Sequence, residues 1–300
     1  MTRPALPPEG PERPRPPSSA TPKDGGAAAA RGLSYLFSEW RRRKSLASQP
    51  QPDDVAQPDT KLLWGELASL ALPAFHQLGH KAEIEPTADP RAVMLIPGFG
   101  SHPWRMTAMR KGLEAAGHSV ADWGLGWNLG ASEDRFEAVC RAVTSMSEAE
   151  GRPLVLVGWS LGGVFAREIA KRLPERVEKV ITLGSPFSGD MHGNNAWRIY
   201  HWIAGHAVDE PPVPMDFADK PPVPTIALWS ARDGIVHRRC ASGRPGERDV
   251  SIPVRCTHMG FAWHPEAIAA VADAIELDIS GSNPHERGGD KPDQTENLAH

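Results

Sequence analysis

The sequence predicts an α/β fold, a mostly parallel sheet of about six strands with helices on both faces. Three observations carry this. From residue 91 onward, short apolar runs alternate with amphipathic stretches. Runs such as Ala92-Val93-Met94-Leu95-Ile96 are apolar throughout, as strands buried on both faces must be. A helix-length segment separates most successive runs, and parallel pairing needs such crossovers.

Taken in order, residues 1–30 are rich in proline and small residues and bury too little apolar surface to offset chain entropy, so disorder is expected there. In 33–46, Leu33, Leu36, Phe37 and Trp40 recur at helical spacing before Arg41-Arg42-Arg43-Lys44, a basic run suited to a helix C-terminus. This reads as a short surface helix, with a helix in weak contact with a membrane surface as the alternative. Residues 49–59 form a polar linker. Residues 61–78 form a helix, with Leu62, Leu63, Glu66, Leu67, Leu70 and Ala74 at helical spacing and Pro73 as kink or terminator. Strands are expected at 92–96, 118–123, 154–157, 177–183, 225–230 and 250–254. Helices are expected at 104–116, 133–149 with Ser132 as N-cap, 161–173 and 265–278. The organisation is then a disordered arm and linker with a short helix at 1–59, one α/β domain at 60–279 and a disordered polar tail at 280–300.

Composition narrows the function classes. The 300 residues carry a formal net charge of −4, which gives nucleic acid no reason to bind. The three cysteines, Cys140, Cys240 and Cys256, are too few for a disulfide scaffold. Cys240 and Cys256 would pair only if the chain between them folded back, and buried free thiols are the ordinary state of such residues. No apolar run reaches the ~20 residues of a membrane span. The N-terminal residues lack the apolar core of a secretory signal, so cytoplasmic residence is expected.

The segment Gly158-Trp159-Ser160-Leu161-Gly162 carries the chemistry. On its own a Gly-x-Ser-x-Gly pattern is a modest signal, equally a glycine-rich turn with Ser160 as a cap. Here an apolar strand enters it and a helix leaves it, the strand–turn–helix of a nucleophile elbow. A tight turn lifts the serine Oγ clear of the sheet, and the helix N-terminus aims backbone N–H groups at developing negative charge. Leu161 N–H is the first candidate oxyanion donor. Ile96-Pro97-Gly98-Phe99-Gly100 follows the first core strand and supplies Phe99 N–H as the second.

In this strand order an acid should follow a later strand and a histidine the last one. Asp233, after the strand at 225–230, fits the acid; Asp190, Asp209 and Asp216 have no strand immediately before them. His258, after the strand at 250–254, fits the base. His264 is the rival, although its place suits the start of the closing helix, and His237 lies too near Asp233 in sequence.

These segments, together with Leu183-Gly184-Ser185-Pro186-Phe187, resemble bacterial α/β-hydrolase fold esterases and lipases over about residues 91–277. The resemblance implies a serine hydrolase cleaving carboxylic esters through a Ser160–Asp233–His258 triad and an acyl-enzyme, with no metal or organic cofactor. Many such lipases carry a histidine before the glycine of the oxyanion loop, where this chain has Pro97. An insertion at 185–223, holding Trp197 and Trp202, reads either as a cap that makes an apolar pocket for hydrophobic acyl esters or as a helix packed on the sheet edge. The implied partner is a small-molecule or lipid ester. An acyltransferase using the same triad and a non-catalytic binding module on the same fold are the alternatives.

Overall fold

The computed structural model describes residues 58–59, 61–71, 84–189 and 217–279. Six strands, β1 (Ala92–Ile96), β2 (Ser119–Asp122), β3 (Leu154–Trp159), β4 (Val177–Leu183), β5 (Thr225–Trp229) and β6 (Val250–Pro253), form one sheet in the order β2-β1-β3-β4-β5-β6. Every pairing is parallel. The α-helices among the described residues are α1 (Leu62–Ala71), α2 (Thr107–Ala115), α3 (Glu133–Glu150), α4 (Leu161–Arg172), α5 (Arg238–Ser242) and α6 (Pro265–Glu276). This is an α/β-hydrolase-like architecture.

Side chains alternate across each strand, so a strand covered on both sides is apolar along most of its length. β1 shows this directly. Val93 and Leu95 pack with α2 and α6, while Ala92, Met94 and Ile96 pack with α3 and α4. Val155 and Val157 of β3 join the first layer, and Leu154 and Leu156 the second. The two layers hold the largest buried clusters, and burial of such side chains stabilises by about 1.5–3 kcal/mol each.

Local chemistry sets the element ends. Ser132 caps α3, its Oγ accepting from Arg135 N–H at 3.3 Å, and Gly151 ends that helix with φ 66°. Lys179 of β4 is buried and donates through Nζ to the carbonyls of Ala274, Ile275 and Leu277, closing the open end of α6. Three details depart from the expected elements. β3 runs on through Gly158 and Trp159, because both still pair with β4, opposite Thr182 and Leu183. The helix expected from 104 opens as a 3-10 turn, Pro103–Met106, set by Pro103 and by His102, whose Nδ1 accepts from Trp104 N–H. The short α5 is additional to the expected helices; it occupies the connection between β5 and β6.

No disulfide joins the three cysteines, and all three are buried. No helix among the described residues is long and apolar enough to cross a membrane. The expected N-terminal arm with its basic helix, the cap segment around Trp197 and Trp202, and the tail after 279 lie outside the described residues. So do Asp190, Asp209 and Asp216. The two described ends of the insertion, Phe187 and residues 217–219, meet one side chain of α4. Arg167 is buried, donates to the carbonyls of Phe217, Ala218, Asp219 and Glu247 at 3.0–3.3 Å, and stacks 4.1 Å from the Phe187 ring centroid. Burial lowers its pKa to about 10, so the guanidinium still carries its charge at neutral pH.

The strand order reverses at β1. The chain leaves β1 toward one sheet edge to form β2, then returns to the other side of β1 to form β3. The loops after β1 and β3 therefore diverge at the carboxyl ends of these two strands, the switch point at which α/β sheets bind their ligands.

Candidate active site

Ser160 stands at that switch point, between the end of β3 and the start of α4. Its φ of 55° and ψ of −122° make it the only non-glycine residue with positive φ among the described residues. An L-residue held there is strained, and the surroundings must enforce it. They do so by packing glycines where side chains would collide. A Cβ on Gly158 would run into the backbone of Gly162 and Gly163, and one on Gly162 into the carbonyl oxygens of Ile96 and Pro97. Ser160 N–H donates to the Leu183 carbonyl at 2.8 Å, which ties the turn to β4.

The loop after β1 lies directly against this turn. A Cβ at Gly98 would come 3.2 Å from the Ser160 Cβ and the Trp159 ring. Phe99 follows Gly98 in that loop, and Leu161 is the first residue of α4, where backbone N–H groups have no intrahelical acceptor. Asn128 holds the loop in place. It is fully buried; its Nδ2 donates to the Pro97 carbonyl at 2.8 Å, its carbonyl accepts from Gly100 N–H at 2.7 Å, and its N–H donates to the Ser101 carbonyl at 2.9 Å.

Asp233 and His258 are brought together from the loops after β5 and β6. His258 Nδ1 lies 2.7 Å from Asp233 Oδ2, and both residues are 3% exposed, so water screens the pair little. A carboxylate only accepts, so Nδ1 donates and the neutral ring leaves Nε2 as an acceptor. Asp233 Oδ1 takes the N–H groups of Ile235 and Val236 at 2.8 and 2.7 Å, which fixes the carboxylate. Gly184, at φ 55°, gives it room: a Cβ there would come 2.9 Å from Asp233 Oδ2. Burial pulls the His258 imidazole toward its neutral form. The Asp233 charge, the hydrogen bond to Asp233 and the Glu66 carboxylate outweigh that, and its pKa is raised.

His258 reaches the serine turn through Trp159. The Trp159 ring lies 5.9 Å from the imidazole, centroid to centroid, and its Nε1–H donates to the His258 carbonyl at 3.1 Å. Phe261 meets the imidazole edge-on at 6.4 Å. The two rival histidines, His264 and His237, have local duties. His264 is the N-cap of α6, accepting from Glu266 N–H, and His237 is the N-cap of α5, accepting from Arg239 N–H.

Two side chains at the site carry no motif. Asn128 leaves no local signal, because its role depends on the loop after β2 meeting the loop after β1. Glu66 does leave one. It occupies the apolar stripe of α1, four residues after Leu62 and three after Leu63, and it is buried. Its Oε1 accepts from Gly234 N–H at 2.9 Å and His258 N–H at 2.7 Å, and its Oε2 from Met259 N–H at 2.9 Å.

No protein-family model and no curated protein matches the chain. Among solved structures it is similar to a lipase-esterase related protein from Clostridium acetobutylicum, at 14% identity and a TM-score of 0.47, over 64% of this chain and 96% of that one. It is similar to polyneuridine aldehyde esterase at 13% identity and a TM-score of 0.42, over 63% and 100%. An extracellular α/β-hydrolase from a Paenibacillus species aligns at 14% identity and a TM-score of 0.42, over 62% and 98%. Identities of this order leave activity and substrate to the site itself.

Proposed function

We propose that the protein is a serine hydrolase of carboxylic esters that works through an acyl-enzyme on Ser160. The observation that carries this reading is the strained backbone of Ser160 at the switch point of the sheet, next to a Trp159 ring that packs on His258 of the buried Asp233–His258 pair. A turn of that cost has a purpose when it presents a nucleophile.

In this mechanism His258 Nε2 takes the Ser160 hydroxyl proton as Oγ attacks the acyl carbonyl. Asp233 holds the imidazole and stabilises the imidazolium that forms. Phe99 and Leu161 N–H groups receive the oxyanion, and the positive end of α4 adds to their field. The imidazolium then gives its proton to the leaving alcohol. Water enters, His258 takes one of its protons as the water oxygen attacks the acyl carbon, and the imidazolium returns that proton to Ser160 Oγ as the acid departs. No cofactor enters these steps.

Hydrophobic acyl esters suit the apolar side chains exposed on the loops after β1 and β2. Trp104, Trp127 and Leu129 are largely exposed, and they sit on the loops that follow β1 and β2. Large exposed apolar side chains near a cleft favour apolar ligands. The test is a series of p-nitrophenyl esters of increasing acyl length. Wild type should turn them over with a preference for medium or long chains, and Ser160→Ala should lose about four to six orders of magnitude in kcat. Comparable turnover by wild type and Ser160→Ala would remove the reading.

A further inference from the structure

The loops that carry Asp233 and His258 come from separate connections, and a hydrogen bond of 2.7 Å between their side chains tolerates little drift. A third element holds them. Glu66 belongs to α1, which lies before the sheet begins in sequence, and its carboxylate grips the residue after Asp233, the backbone of His258 itself and the residue after His258. One oxygen, Oε1, serves both loops at once. Sliding either loop past the other would break a bond to that atom. All three partners are donors, the set that a carboxylate matches and a carboxylic acid, which must also donate, does not. Buried, charge-assisted bonds of this kind are the strong ones.

The approach of α1 is built into the sequence. Gly234 has no side chain, and a Cβ there would come 2.7 Å from the Leu62 carbonyl carbon and 3.0 Å from Leu63 N. The backbone of α1 thus lies against the acid loop, and α1 also packs on the Met259–Ala262 turn that follows His258. A buried carboxylate on an otherwise apolar stripe is costly unless something needs it.

We propose that Glu66 is a positioning residue for the Asp233–His258 pair, locking the two loops in register and adding a second negative charge to the surroundings of the imidazole. The proposal rests on the ester-hydrolase reading. The charged groups facing His258 are Asp233, from the loop after β5, and Glu66, from α1. Its own loop adds the buried Cys256 thiol, which burial raises well above its ordinary pKa and so keeps neutral.

Phosphonylation of Ser160 by a fluorophosphonate, in which Oγ bonds to phosphorus and fluoride leaves, followed as a rate constant across pH on the full chain, tests this. The wild-type rate should rise as His258 loses its proton. Glu66→Gln keeps size and one acceptor oxygen but removes the charge and sets an amide against a donor. It should lower the plateau rate about tenfold or more, as small misplacements of a general base do. The midpoint of its profile should move to lower pH, because a lost negative charge no longer favours the imidazolium. A merely structural role would reduce the folded fraction and leave the midpoint of the folded protein in place; that result, or a wild-type rate and midpoint, overturns the proposal. If Glu66→Gln does not fold, Glu66→Asp decides. It keeps the charge and withdraws the carboxylate by one methylene, so the midpoint should hold while the plateau falls, and a wild-type plateau would overturn the proposal. A wild type that is not phosphonylated at all defeats the hydrolase reading beneath it, an outcome distinct from unchanged Glu66 variants.

Discussion

The indole N–H of Trp159 donates to the backbone carbonyl of His258 across 99 residues of chain, at 3.1 Å. Trp159 precedes Ser160, so this bond joins the serine turn to the histidine loop. Trp159→Phe keeps an aromatic ring and deletes the donor. It should cost about 1–3 kcal/mol in urea unfolding, the penalty of leaving a buried carbonyl unpaired. Acylation of Ser160 should slow more than the loss of folded protein explains.

Gly162 and Gly151 separate crowding from backbone strain. A Cβ on Gly162 meets the backbone of β1 and its loop, neither of which can yield, whereas at Gly151, φ 66°, there is open space. Gly151→Ala should cost about 1–2 kcal/mol, the left-handed penalty alone. Gly162→Ala should exceed about 3 kcal/mol or prevent folding. Denaturant midpoints of the two variants, compared directly, check this.

Arg167 should matter for stability although it lies outside the serine turn. Replacing it with Met leaves four backbone carbonyls without their donor and removes the cation stacked on Phe187. A loss of about 3–5 kcal/mol is expected, in the range for breaking buried charged networks. Calorimetric unfolding of Arg167→Met against wild type measures it.

The raised pKa of His258 has a consequence for stability with a definite sign. The folded protein holds that proton more tightly than the unfolded chain, whose histidine titrates near about 6.5. The contribution is therefore fully present below about pH 6.5 and is lost as pH rises through the folded value. Activity runs the opposite way, since the base must be neutral. Denaturant unfolding across pH should show a component that falls in this window for wild type and is absent in His258→Ala.

Much of this architecture is legible in the sequence, for physical reasons. Parallel strands covered on both faces must be apolar throughout, so Ala92–Ile96 and the apolar stretch of Val177–Leu183 announce themselves. β3 hides its last two residues because Gly158 and Trp159 look like turn, and only pairing with β4 shows them as strand. The short α5 is too brief for periodicity to reveal. At the site, Ser160, Asp233 and His258 stand out because each follows a strand. Asn128 and Glu66 do not, since their partners come from distant segments and no spacing rule connects Glu66 to His258, 192 residues away. A charged residue on an apolar helical stripe is the one clue the sequence offers to Glu66.

The central claim is that Ser160 is a nucleophile activated by His258. Treating the folded full chain with a fluorophosphonate probe and locating the adduct by peptide mass tests it most directly. One adduct is expected, on Ser160, absent in Ser160→Ala and strongly slowed in His258→Ala. No adduct on folded wild type, or equal labelling of Ser160→Ala, would contradict it.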